Sequence, residues 1–266
     1  MGLKHDTTAI DIASMTPVSD LIDRIVNRKI IYVGEVHDVF AHHAVQLDIV
    51  KEIYRKNRKT AIGMEMFQGP FQDVLDSFIA GRINEKDFLE KSEYFKRWGL
   101  DYNLYKPILD FARTENLPVI ALNLQREIVK KVSANGIDSL SDEEKKDIPE
   151  EMDFSDKEYR ERLKEIFRMH EKSGIKNFDY FYQAQILWDE TMSQSVYEFI
   201  QKNPEHQIVV LAGQGHLRFG SGIPKRTYRR NGLEYAVVLL DDKIEEGIAD
   251  FVVFTGPVKG FSAERL

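Results

Sequence analysis

Cysteine is absent from all 266 residues. Disulfide bonds, thiolate metal sites and a cysteine nucleophile are therefore excluded, and cysteine usage leaves the redox compartment open. Long apolar runs are missing as well, since no stretch approaches the roughly 18 apolar residues of a membrane-spanning helix. The opening Met1-Gly2-Leu3-Lys4-His5-Asp6 carries no apolar core of a secretory signal. Positive charge is in deficit, with 37 Lys and Arg against 44 Asp and Glu and a formal net charge of -7. With a pI near 5.6, the chain has no general attraction for nucleic acid or for anionic membranes. A small molecule or another protein is the expected partner.

What is present describes a folded protein. Apolar residues make up 42% and charged residues 30% of the chain, and the mean hydropathy is -0.39, outside the disordered range. The length suits one large domain with a sizeable core, expected to span residues 1–266. Strand-like runs occur at Ile30 to Val33, Thr60 to Met64, Val119 to Leu122, Gln207 to Ala212, Tyr235 to Leu240 and Asp250 to Phe254. Helical patterns separate most of them. Ala44, Leu47, Val50, Ile53 and Tyr54 recur at three- and four-residue spacing, and a second helix starts near Tyr102 and stops before Leu117-Pro118. The predicted fold is α/β, a mostly parallel central sheet flanked by helices. From about residue 133 to 177 the chain is charge-dense without β signal, which reads as a helical, lid-like insertion. A long helix is predicted from Phe178 to Lys202, leading into the fourth strand.

Two strands end in the same short pattern. Ile30-Ile31-Tyr32-Val33 runs into Gly34-Glu35-Val36-His37, and Ile208-Val209-Val210-Leu211-Ala212 runs into Gly213-Gln214-Gly215-His216. A glycine that lets the backbone turn would deliver each histidine to the crevice beyond the carboxyl ends of the strands, where open α/β sheets bind ligands. Glu35 and His37 are two apart, so in extended backbone they point the same way, as a base and its orienting partner. Glu65, in Met64-Glu65-Met66, puts a second carboxylate at the next strand end, where it needs a partner such as His37 or His216. Glu35, His37, Glu65 and His216 are thus the candidate catalytic residues. His37, Glu65 and His216 also offer nitrogen and oxygen donors for a divalent metal that would lower the pKa of a bound water. Arg126, one turn beyond the third strand, could hold an anionic group or pair with Glu65. Gln185 and Asp189 share one face of the long helix, either beside the pocket or as an exposed pair. His42 and His43 read as ordinary surface or packing residues.

Taken together, Val33-Gly34-Glu35-Val36-His37-Asp38, Gly63-Met64-Glu65-Met66-Phe67, Tyr102 through Arg126-Glu127-Ile128-Val129, Gln185-Ile186-Leu187-Trp188-Asp189 and Ala212-Gly213-Gln214-Gly215-His216 with Gly220-Ser221-Gly222-Ile223-Pro224 resemble the ChaN-like cofacial haem-binding family. That family sits in a grouping with Tiki-type proteases and erythromycin esterases. The resemblance implies an α/β fold with a helical insertion and a role in bacterial iron or haem uptake, with haem as cofactor. It also implies a homodimer and an exported, periplasmic or membrane-associated location, although the cysteine of a lipoprotein anchor is missing. Haem needs an apolar cover and an axial ligand. The aromatic insertion offers Tyr159, Tyr180 and Tyr182 as phenolates and His170 as a propionate contact, with Arg126 as a further anion partner. The alternative function is a hydrolase of an ester, amide or peptide bond, with the Glu and His pocket activating water, with or without a metal.

Overall fold

The computed structural model describes residues 17–169 and 177–256. Among them, six strands form one parallel sheet in the order β3-β2-β4-β1-β5-β6. These are β1 (Ile30–Glu35), β2 (Thr60–Gln68), β3 (Val119–Asn123), β4 (Gln207–Gly213), β5 (Tyr235–Leu240) and β6 (Phe251–Val253). The predicted α/β class holds, and each predicted strand appears within a few residues of its expected bounds.

Burial on both faces explains the continuous apolar runs, because a parallel sheet covered by helices has no solvated side. Along β1, Ile31 and Val33 enter one core with Ile49, Val50 and Ile53 of α2 (Phe40–Lys56), while Ile30 and Tyr32 enter the opposite core. The first core is completed by α1 (Val18–Ile25), α3 (Gln72–Ile79), α4 (Glu85–Lys91) and α6 (Lys106–Glu115). The opposite core takes Met192, Val196 and Ile200 from α9 (Phe178–Lys202) and Ile223 from α10 (Ile223–Asn231). The long helix has the predicted bounds. The short α5 (Tyr94–Arg97) lies between α4 and α6, and α7 (Arg126–Asn135) packs on α9. The helical stretch expected around residues 133–177 contains α8 (Lys157–Met169), whose Tyr159 and Leu163 pack on α9. Among the described residues no helix is long and apolar enough to cross a membrane.

The strand order brings the two Gly-x-x-His units together. β4 lies between β1 and β2, with Gly34 opposite Ala212 and Glu35 opposite Gly213. β2 pairs with the other edge of β4 up to Met64 and Leu211. The carboxyl ends of β1, β2 and β4 therefore form one continuous rim.

Candidate functional site

Glu35 ends β1 and is buried, and His37 Nδ1 donates to its Oε1 over 2.7 Å. This fixes the tautomer of a neutral His37, leaving Nε2 as the free ring nitrogen. The edge of the ring meets Trp98 at a centroid distance of 4.9 Å. His216 lies in the turn after β4, and its Nδ1 donates to Asp189 Oδ1 over 2.6 Å. Its Nε2 faces Glu65 Oε1 at 3.5 Å, while Glu65 Oε2 accepts the Gly213 amide hydrogen at 2.7 Å. Two imidazoles, each held through Nδ1 by a buried carboxylate, thus flank Glu65. Asp189, weighed in the sequence against a merely exposed helix pair, is fully buried and orients His216, and the Gln185 side-chain amide lies 3.1 Å from the same Nδ1. Trp98 carries no sequence signal, because it caps α5 and is placed against His37 only by the packing of that short helix.

The electrostatics favour the charged form of both histidines. For His216, burial disfavours the imidazolium, but Glu65 and Asp189 outweigh it and push the pKa up to about 9. For His37, burial again acts against charge and is overcome by the Glu35 hydrogen bond and the negative charge of Glu65, so the pKa is raised. At neutral pH His216 is consequently an imidazolium.

The glycines serve a different purpose from the one expected. Gly213 has φ -60° and ψ 140°, which any residue adopts, and neither it nor Gly34 has positive φ. Space is what they provide. A Cβ on Gly213 would lie 2.7 Å from His37 Cε1, and one on Gly34 would lie 2.6 Å from a Leu239 methyl. Gly213→Ala should therefore retain the fold at a cost of about 1–3 kcal/mol while driving the His37 ring off Glu35. Ring-proton NMR spectra of His37 would read this displacement, and an undisturbed His37 would contradict it.

His42 and His43, expected as ordinary residues, are buried and pin the loop that carries His37. The Val36 amide donates to His42 Nδ1 at 3.0 Å, and His42 Nε2 in turn reaches Asp241 at 3.1 Å. His43 Nε2 donates to the His37 carbonyl at 3.1 Å.

The remaining expectations fare differently. Arg126 does not meet Glu65, whose oxygens are taken by Gly213 and His216; its guanidinium binds the Lys96 carbonyl. Tyr159 is buried and donates to Asp189 Oδ2 at 2.7 Å, and burial pushes its phenol pKa up, aided by the charge of that carboxylate. Tyr182 donates to the Phe154 carbonyl at 3.1 Å, and the Tyr180 ring packs over Gly136. None of the three phenols points free into the crevice, and His170 lies outside the described residues. The divalent metal expected on His37, Glu65 and His216 finds no matching cage, since no group of three or more His, Asp or Glu side chains among the described residues is arranged to hold one.

Two hollows adjoin this machinery. The crevice has a volume of about 340 Å³ and is lined by Glu35, His37, Gln185 and His216 below and by Leu163 and Ile166 of α8 above. A second hollow of about 230 Å³ lies between α7 and α9 and is walled by Val129, Phe181, Ala184 and Trp188, with Arg126 and Lys130 at its edge. Phe181 and Gln185 line both.

A family model described as haem-binding uptake, Tiki superfamily, ChaN matches residues 21–227. The chain belongs to the ChaN family. Its fold superimposes on the structure of ChaN of Campylobacter jejuni with cofacially bound haem at a TM-score of 0.70 and 18% identity, covering 88% of this chain and 90% of that one. A mutant of the erythromycin esterase EreC in its open conformation gives a TM-score of 0.51 at 15% identity over 84% of this chain and 72% of the other. Protein RETICULATA-RELATED 5, chloroplastic, of Arabidopsis thaliana is 24% identical over 88% of this chain but only 35% of its own length, so the chain spans about a third of that relative. At these identities the likeness to solved structures is one of fold, and the ChaN fold is what places the two histidines on one rim.

Proposed function

We propose that the chain binds haem in the service of iron or haem uptake, with the porphyrin lying in the hollow between α7 and α9. The observation that carries this reading, beside family membership, is the pairing of an apolar wall with exposed positive charge. Val129, Ala184 and Trp188 suit one face of the ring, and the exposed Arg126 and Lys130, one turn apart on α7, suit its carboxylates. The volume of about 230 Å³ is below the ~300–1,000 Å³ of a complete small-molecule site. A second copy of the chain is the natural source of the remaining cover, consistent with a homodimer.

Haem bound there would supply redox-active iron, and the residues named here hold the ring and its carboxylates. Titration with haemin should give a saturable Soret shift, and Ala184→Glu, which places an unpaired carboxylate in the apolar wall, should weaken it at least about tenfold. A flat, nonsaturating titration of the unaltered protein rejects the reading.

A second reading, hydrolysis of an ester or amide, is favoured by the two imidazole–carboxylate pairs. In it His37 Nε2 takes a proton from water as the oxygen attacks the carbonyl carbon, and the His216 imidazolium gives a proton to the departing group. His37→Gln should then cost about 10²–10⁴-fold in turnover of a chromogenic ester and leave the haemin titration unchanged. No turnover by the unaltered chain on esters or amides rejects it.

A further inference from the structure

We propose that Tyr159 is a positioning residue for His216, which couples the seating of α8 to the geometry of the crevice. Three separate elements meet at one buried carboxylate. Asp189 stands on α9 with no exposed surface; its Oδ1 accepts from His216 Nδ1 at 2.6 Å and its Oδ2 from the Tyr159 hydroxyl at 2.7 Å. Tyr159 comes from α8 and His216 from the turn after β4. The carboxylate is thus divided between the crevice and the helix that roofs it.

α8 is tied to its surroundings at its edges, where Arg160 pairs with Asp179 at 2.6 Å and Arg162 donates to the Ser221 hydroxyl, but only two of its side chains are buried. Its sequence, Lys157-Glu158-Tyr159-Arg160-Glu161-Arg162-Leu163-Lys164-Glu165-Ile166, is charge-dense, and Tyr159 and Leu163 are its buried residues. Tyr159 is its buried polar anchor, with the Arg226 guanidinium 5.5 Å from its ring centre. One turn further along, Leu163 and Ile166 form the apolar ceiling of the crevice. A ligand that presses on this ceiling displaces the same helix that satisfies Asp189 Oδ2. When the phenol withdraws, the carboxylate charge is no longer shared and falls on the remaining bond, the one to His216. His216 is held more tightly and the crevice responds to what fills it.

The inference rests on His216 belonging to the site and holds whichever ligand the crevice takes. The Nδ1 nitrogen and proton shifts of His216, read through its nonexchanging ring protons, report the bond to Asp189 directly. Tyr159→Phe removes only the hydroxyl and should move these shifts in the direction of a stronger bond. Tyr182→Phe, which removes a hydroxyl from the same aromatic cluster, should leave them at the wild-type position. Leu163→Ala, which loosens α8 without touching a polar group, should move them the same way by less, and it carries the test should Tyr159→Phe not fold. Unchanged His216 shifts in Tyr159→Phe, or in Leu163→Ala where that stands in for it, overturn the proposal, as do shifts equally large in Tyr182→Phe. The haemin titration and the ester assay are independent readouts, so failure here is distinguishable from failure of either functional reading.

Discussion

Glu190→Ala is expected to lose about 3–5 kcal/mol of stability, the cost of leaving a buried charge uncompensated. Glu190 is fully buried on α9 and faces three arginines of α10, at 3.2 Å from Arg226 Nε, 2.8 Å from Arg229 Nη2 and 2.7 Å from Arg230 Nη2. Its Oε1 also accepts the Asp153 amide hydrogen at 2.8 Å. Arg226 is itself only 2% exposed. Its guanidinium binds the Ser221 and Gly222 carbonyls and reaches the Asp153 carbonyl at 3.2 Å. Without Glu190 its charge stays in the interior without its direct carboxylate partner, held by carbonyl dipoles and by the more distant charge of Asp153. For a chain of this size the loss corresponds to a fall in Tm on the order of 10 °C, read by circular dichroism. A fall equivalent to less than about 1 kcal/mol would place the cluster in the weak class of exposed ion pairs. The site is exposed to the same damage, because a Cβ on Gly222, just before α10, would lie 2.0 Å from the His216 carbonyl oxygen. That close approach couples the α10 entry to the His216 turn.

The second large effect is a loss of stability on the alkaline side. His216 has its pKa raised from 6.5 to about 9, against the effect of burial, by Glu65 and Asp189. A group with a higher pKa in the folded chain stabilises it fully below the unfolded value and ceases to do so as pH rises through the folded one. The contribution is therefore complete below 6.5, declines above it, and is gone beyond about 9. At about 1.4 kcal/mol per pKa unit it amounts to roughly 3 kcal/mol. His37, also raised, acts in the same direction; its half-exposed side chain is screened by solvent and adds less. The groups facing His216 are Glu65, Asp189, Arg226 and His37, with Trp188 against its ring. Urea unfolding midpoints of the unaltered chain and of His216→Gln, compared across this range, cancel the titration of groups that do not interact with His216. The difference between the two should shrink as pH rises, and a difference that grows with pH would reverse the assignment of the imidazolium.

Much of the architecture was legible. The strands and the bounds of α9 follow from local apolar patterns, since burial on both faces demands near-continuous Val, Ile and Leu. The Glu35 and His37 pair was legible because residues two apart share a side of extended backbone. Glu65 and His216 were legible as polar residues at the ends of buried strands. Other features were hidden. The roles of Gly34 and Gly213 were misread, because a need for space depends on what stands opposite. Arg126 pairs with a carbonyl of α5 rather than with Glu65, a choice made by how the segment from α3 to α6 covers the sheet.

By itself, the sequence determined the element types, the amphipathic faces and the residue kinds offered at each strand end. Those depend on interactions between neighbours a few positions apart, which composition and periodicity record directly. Only the tertiary structure decided that β4 lies between β1 and β2, that Asp189 orients His216 across 27 positions, and that Glu65 takes the Gly213 amide across 148. Such contacts arise from the packing of whole layers, and each partner is selected by the space and the unpaired donors that the rest of the fold leaves to it.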